Sequence, residues 1–345
     1  MDKFTIYCQI GFLKHFFNQK PNKEDDFLSE DYNYWFLLGK LLYKHSNLIF
    51  DISKSEFLDL QRNPLLKRLL KSSLEGGSEL KFKPEEFDQI KKDEGYLKDK
   101  IHEIFMLDKS DKECTDLENK YGLIFISKEN IKKAQFLFDF SIIPMDKVKQ
   151  KYRNWDFIKK IKHPFNAMVI ADNYVLKDKD QFDNNILALL QSFMPNRLEN
   201  QIFQLTILVE ENAIPNIEGR HKLLSRKLKE LFDYEIELTI LRASKTKLHD
   251  RNIITNYAWI NSGYGFSLFN NNQIKQDTHL SFYPITYLQQ KHIGYNEQIE
   301  TEEKLNNVLE IYSFLQKQFS RINDKTINLG ITKYVEGSKQ NRLLN

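Results

Sequence analysis

Short apolar runs alternate with helix-patterned segments along this chain, and that alternation limits the fold more tightly than any other feature. Residues 4–7 (FTIY) are β-prone and partly alternating, and Gln9-Ile10-Gly11 opens a helix-like segment through Phe17. Residues 34–45 (YWFLLGKLLYKH) carry apolar side chains at helical spacing, 48–50 (LIF) form a short strand, and a second helix begins near Ser53. Ser53-x-x-Glu56 has the spacing of a capping box, which accounts for Glu56 without any chemistry. Residues 65–74 continue as helix to a stop at Gly76-Gly77, and 78–100 are charge-rich with weak periodicity, expected to form a loop and a solvated helix. A further helix opens at Asp111, and 121–127 read as a buried strand. The expected fold class is therefore α/β, with residues 1–145 forming a three-layer domain around short parallel strands.

The second half repeats the alternation. Residues 146–162, rich in Lys and Arg and holding Trp155, are expected to be a linker helix. A buried strand over 165–176 ends in the polar turn Asp172-Asn173-Tyr174, followed by an amphipathic helix over 183–193, a strand over 204–209, a helix over 219–232 and an alternating strand over 234–241. Residues 248–269, LHDRNIITNYAWINSGYGFSLF, then supply a fourth strand that turns through Asn256 into a fifth at 265–269. Side chains alternate along a strand, so His249 and Arg251 project together while Asp250 points the other way. With Lys245 and Lys247 just upstream, that face suits a phosphate. Gly263 and Gly265 let backbone amides approach such a ligand, and a tight hairpin turn explains them equally well. This order predicts an α/β sandwich over 163–322, closed by an amphipathic helix over 298–319, with a polar, loosely held tail over 323–345.

Composition excludes several classes of function. Lys+Arg 51 against Asp+Glu 48 leaves a formal charge of +3, so any anion site must be local rather than a property of the whole surface. Cys8 and Cys114 stand far apart, forming neither a disulfide framework nor a zinc cluster. The N-terminal residues lack the pattern of a signal peptide and no apolar run reaches membrane-spanning length, so a cytoplasmic protein is expected.

Two resemblances follow from these landmarks. Strand-end Gln9, Ser55-Glu56 opening a helix, Asp111 before a helix that ends at Gly122, and a strand ending Ser127-Lys128-Glu129 together resemble the order in PIN-like nuclease domains. That resemblance implies a site for Mg or Mn at the carboxyl edge of a parallel sheet, with Glu56, Asp111 and Glu129 as ligands and metal-activated water cleaving a phosphodiester. Gln9 stands where the family has its first aspartate. The second half resembles the phospholipase D fold, closest to the variant at the C-terminus of some MIT-domain proteins. The family's His-x-Lys-x4-Asp spacing is kept as His249, Arg251 and Asn256, with Ser262-Gly263-x-Gly265 downstream.

The phospholipase D resemblance implies a cofactor-independent mechanism in which His249 attacks phosphorus, Arg251 clamps the nonbridging oxygens and Asn256 orients the imidazole. An amide cannot balance an imidazolium as the family's acid does. The mechanism also needs a second histidine, and His163, His221, His279 and His292 do not repeat the motif, so turnover requires a homodimer. Three functions are expected in turn. The first is a subunit recognising nucleic acid or another phosphate-bearing ligand, which by analogy of fold suits bacterial antiviral defence or a mobile element. The second is an active phosphodiesterase or nuclease, and the third a scaffold for a protein partner.

Overall fold

The computed structural model describes residues 4–20, 30–44, 46–92, 94–177, 182–210, 216–243, 251–289, 295–319, 332–336 and 341–344. The chain divides into two compact units, residues 1–138 with 289–292 and residues 139–288 with 293–345. Both are mixed α/β. No described helix is long and apolar enough to cross a membrane.

In the first unit the order is β1 (Phe4–Cys8), α1 (Ile10–Asn18), α2 (Glu30–Lys44), β2 (Ser46–Phe50), α3 (Lys54–Asp59), α4 (Pro64–Leu74), β3 (Glu79–Phe82), α5 (Pro84–Lys92), β4 (Ile104–Leu107), α6 (Asp111–Tyr121) and β5 (Ile124–Ser127). The strands form one parallel sheet in the order β3-β2-β1-β4-β5. Every residue of β4 and β5 is buried, as a strand covered on both faces requires. Phe105 at the sheet centre stacks on Tyr7 at 5.0 Å and on Phe125 at 4.7 Å, each pair contributing about 1 kcal/mol beyond its buried area. Strand β3 corrects the reading of 78–100 as loop and solvated helix. Its side chains alternate between exposed and half-buried, as suits an edge strand, so the charges that hid it belong to its solvent face.

Strand β1 connects outward to β2 on one side while β4 lies on the other, so the topological switch falls between β1 and β4. Ligands of open α/β sheets bind at such a crevice, beyond the carboxyl ends of the strands. Here the crevice is bounded by Gln9 after β1 and Asp108 after β4.

The second unit begins with β6 (Ser141–Met145), then β7 (Ala167–Ala171), α7 (Ala188–Phe193), β8 (Phe203–Glu210), α8 (Ile217–Leu231), β9 (Ile236–Ala243), β10 (Arg251–Thr255), β11 (Ala258–Ser262), β12 (Phe269–Asn270), β13 (Gln273–Ile274), β14 (Thr278–Pro284), α9 (Ile285–Leu288), α10 (Tyr295–Phe319) and β15 (Thr332–Glu336). Eight strands form one sheet in the order β15-β9-β8-β7-β10-β11-β14-β6. Strands β7, β8 and β9 are parallel, and β10 pairs antiparallel with β7. Arg251, at the start of β10, therefore lies at the carboxyl edge of the parallel strands.

Four expectations need correction here. Residues 141–145 belong to this sheet through β14, and 155–161 form a 3₁₀ helix with Trp155, Phe157 and Ile158 buried, so 146–162 is not a solvated linker. The fifth strand of the second half is β11, not 265–269, because the chain reverses at Asn256-Tyr257, where the Thr255 hydroxyl accepts from Tyr257 N and Ala258 N. The sequence reading of 277–288 as a loop and a short strand broken by Pro284 also changes: β14 runs through to Pro284, its last residue, which pairs with Ala258 of β11 beyond the stretch that faces β6. The described parts of the tail are held: β15 pairs with β9, and Asn341 is 2% exposed with its amide donating to Thr206 Oγ1 at 3.0 Å.

Candidate functional site

The carboxyl edge of the second sheet gathers three segments around one buried acid. Asp172 follows β7 directly and is 2% exposed. Its Oδ1 accepts from Tyr174 N at 2.8 Å and its Oδ2 from Phe266 N at 2.7 Å, so it ties the end of β7 to the turn after β11. Burial pushes its carboxyl above the usual range, while the Tyr174 and Phe266 amides and the nearby Arg251 charge pull the other way. Ser262 folds that turn by donating to Gly265 O at 2.7 Å and accepting from Gly265 N at 3.0 Å.

Gly265 is required there on two counts. Its φ is +104°, and a Cβ would sit 2.7 Å from Asp172 Oδ2 and 3.6 Å from Arg251 Cγ. Arg251 pairs in register with Ser262 and donates from Nη1 to Gly263 O at 3.2 Å. Among the described residues its buried Nε meets no acceptor, and the buried Asn173 Oδ1, beside Asp172, meets no donor. Buried polar atoms are rarely left so. A half-buried guanidinium with one arm tied back and an unspent N–H presents a donor set that phosphate oxygens match.

The sequence-derived residues separate as follows. Arg251, Gly263 and Gly265 come together at this edge. Lys245, Lys247, His249 and Asp250 lie outside the described residues. Asn256 is at the other end of β10, roughly 16 Å along the strand from Arg251 at a strand's usual rise. Its Oδ1 accepts from Asn166 N at 3.0 Å and Ala167 N at 3.1 Å, and its Nδ2 donates to Asn166 Oδ1 at 3.0 Å. Asn256 thus fastens the entry to β7, at the end of β10 away from Arg251.

At the carboxyl edge of the first sheet the polar groups mostly satisfy one another. Gln9 Oε1 accepts from Asp108 N at 2.8 Å, Asp51 Oδ1 accepts from Ile10 N at 2.8 Å, and Lys128 Nζ lies 2.5 Å from Asp108 Oδ1. Glu56 completes the capping box with Ser53, accepting from Ser53 N at 2.7 Å. Glu129 accepts from Asp111 N at 3.0 Å, and Asp111 accepts from Asn130 Nδ2 at 3.3 Å, leaving Asp111 Oδ1 buried and unpaired. Among the described residues, no three His, Cys, Asp or Glu side chains are grouped to hold a metal ion. Glu56 and Glu129 each accept from a backbone amide, while one Asp111 oxygen is unpaired among the described residues.

Sequence reasoning missed Asp51 and Asp108 as edge residues, and placed Asp172 at its strand end without giving it a role in the site. The signal was there: each follows a buried strand directly, in Phe50-Asp51, Leu107-Asp108 and Ala171-Asp172. No protein-family model matches the sequence, and no curated protein matches it.

Proposed function

We propose that this protein recognises a phosphate-bearing ligand, nucleic acid foremost, through a phospholipase D-like second unit in which Arg251 is the principal contact. The observation that carries the reading is the Arg251 guanidinium at the carboxyl edge, with Nε buried and unpaired beside the Gly263–Gly265 turn. Asp172 supports it by holding that turn against the end of β7. His249, Lys245 and Lys247 precede Arg251 by a few residues and add imidazole and positive charge to the same stretch of sequence. The reading fits a recognition subunit of a bacterial antiviral defence or mobile-element system by analogy of fold alone.

A second reading, phosphodiester cleavage with His249 as nucleophile in a homodimer, is favoured by the His249-x-Arg251 spacing. One experiment separates the two. Single- and double-stranded DNA and RNA are incubated with wild type, His249→Ala and Arg251→Ala, with EDTA or with Mn²⁺, and both cleavage and retention are scored. Retention without cleavage, lost in Arg251→Ala, supports recognition. EDTA-resistant cleavage lost in His249→Ala supports catalysis. Neither retention nor cleavage by folded wild type overturns both.

A further inference from the structure

A cleft of about 750 Å³ opens in the second unit between the 155–161 turn, α7 and the end of α8. Its size is that of a small-molecule site. Its lining includes apolar Leu231 and Phe232 from the end of α8, and Trp155, Lys159 and Lys162 from the 155–161 turn and the residue after it.

The two lysines are unequally matched. Lys159 lies 2.5 Å from Asp156 Oδ1, and Asp156 is further held by Asn154 Nδ2 at 2.9 Å, so that acid is committed. Lys162 is half-buried, and its hydrogen bond goes to a neutral acceptor, Asn196 Oδ1, at 2.7 Å. Burial first, and the neighbouring Lys159 charge second, push the Lys162 ammonium below its ordinary range. The Trp155 indole Nε1–H is fully buried and meets no acceptor among the described residues. Among the described residues, a half-buried ammonium whose hydrogen bond goes to a neutral acceptor gains from an incoming anion. Stabilising such a group is what separates a built site from a surface groove.

We infer that this cleft binds a small phosphate monoester carrying a flat organic group, of mononucleotide size, with the phosphate on Lys162 and Lys159 and the flat group against Leu231 and Phe232. The site is independent of Arg251, so it stands or falls apart from the function proposed above.

The test is equilibrium dialysis of the full chain with adenosine monophosphate, adenosine and inorganic phosphate. The expected result is saturable binding of adenosine monophosphate, with adenosine and phosphate each weaker by about tenfold or more. Lys162→Ala weakens binding by about tenfold, the order of one charge-assisted contact, and Lys162→Arg retains it. Leu231→Glu abolishes binding by setting a negative charge in the apolar lining. Leu231 is already 38% exposed, so this variant keeps the fold if Lys162→Ala does not. Arg251→Ala leaves binding unchanged. Absence of saturable binding by folded wild type, equal binding of adenosine, indifference to Leu231→Glu, or loss in Arg251→Ala would each overturn the inference.

Discussion

The two sheets end in carboxyl edges built from similar materials and differ in what they leave unspent. At the first edge Gln9, Asp51, Asp108, Glu56 and Glu129 accept from local amides or pair with Lys128. Among the described residues, the first edge leaves one buried acceptor unpaired, Asp111 Oδ1, whereas the second leaves a donor, Arg251 Nε, together with an acceptor, Asn173 Oδ1. The difference teaches that charge at a strand end is a poor guide to function. A carboxylate committed to a helix N-terminus stabilises the fold, whereas a desolvated group without a partner stores free energy that a ligand can release.

The sharpest way to break the comparison is to add one methyl group to each edge. Gly265→Ala forces a side chain at φ +104° against Asp172, which is buried and cannot swing away, and the expected cost is about 3 kcal/mol in chemical denaturation. At the first edge a Cβ on Gly11 would lie 2.1 Å from Asp108 Oδ2, a closer clash on paper. The Asp108 side chain is 40% exposed and can turn to solvent, and alanine favours the helix, so Gly11→Ala is expected to change stability by about 1 kcal/mol or less. Equal costs would mean that the two edges are equally rigid.

Asp172→Ala comes next, at about 2–3 kcal/mol, because the buried Tyr174 and Phe266 amides lose their acceptor. Asp172→Asn costs less than the alanine variant but is not neutral, since its one oxygen satisfies one of the two amides while its NH₂ faces the other. Thermal unfolding of the two variants beside wild type checks the order.

Acid sharpens the contrast between the units. Burial holds His163 near 3, with Nδ1 donating to Ile161 O at 3.1 Å and Nε2 accepting from the Thr255 hydroxyl at 2.8 Å. Between its ordinary 6.5 and that value the unfolded chain binds the proton more readily, so the second unit loses stability as pH falls through this window. Glu118 in the first unit behaves oppositely. Burial raises it to about 7 despite Lys133, so the folded form binds the proton first and gains stability as pH falls from 7 towards 4.5. From pH 7 to pH 5 each effect is on the order of 2 kcal/mol, with opposite signs. Hydrogen exchange should show protection falling around β7 and β10 and rising around β5 and α6, and His163→Gln should flatten the first response.

Much of the fold was legible in the sequence. The strands β1, β2, β7, β8 and β9 announce themselves as apolar runs bounded by turns, and the caps at Ser53 and Gly122 mark helix ends by local chemistry alone. What was hidden depends on partners distant in sequence. Strand β6 carries exposed Ile142 and joins the sheet only through β14, 130 or more residues on, and Asn341 reads as tail until Thr206 and Met168 meet its amide. The site was half legible. Arg251, Gly263 and Gly265 stand out by composition and spacing, but Asn256 sits at the right spacing for a motif and at the wrong end of the strand. Spacing counts residues, and it cannot tell which sheet edge a side chain reaches.

We propose that the second edge, through Arg251, holds phosphate and that the first edge does not. This is tested most directly by fluorescence anisotropy of a labelled single-stranded oligonucleotide against wild type, Arg251→Ala and Lys128→Ala at two salt concentrations. The expected result is about tenfold weaker binding and a shallower salt dependence for Arg251→Ala, with Lys128→Ala matching wild type. Binding that survives Arg251→Ala and is lost in Lys128→Ala would contradict it.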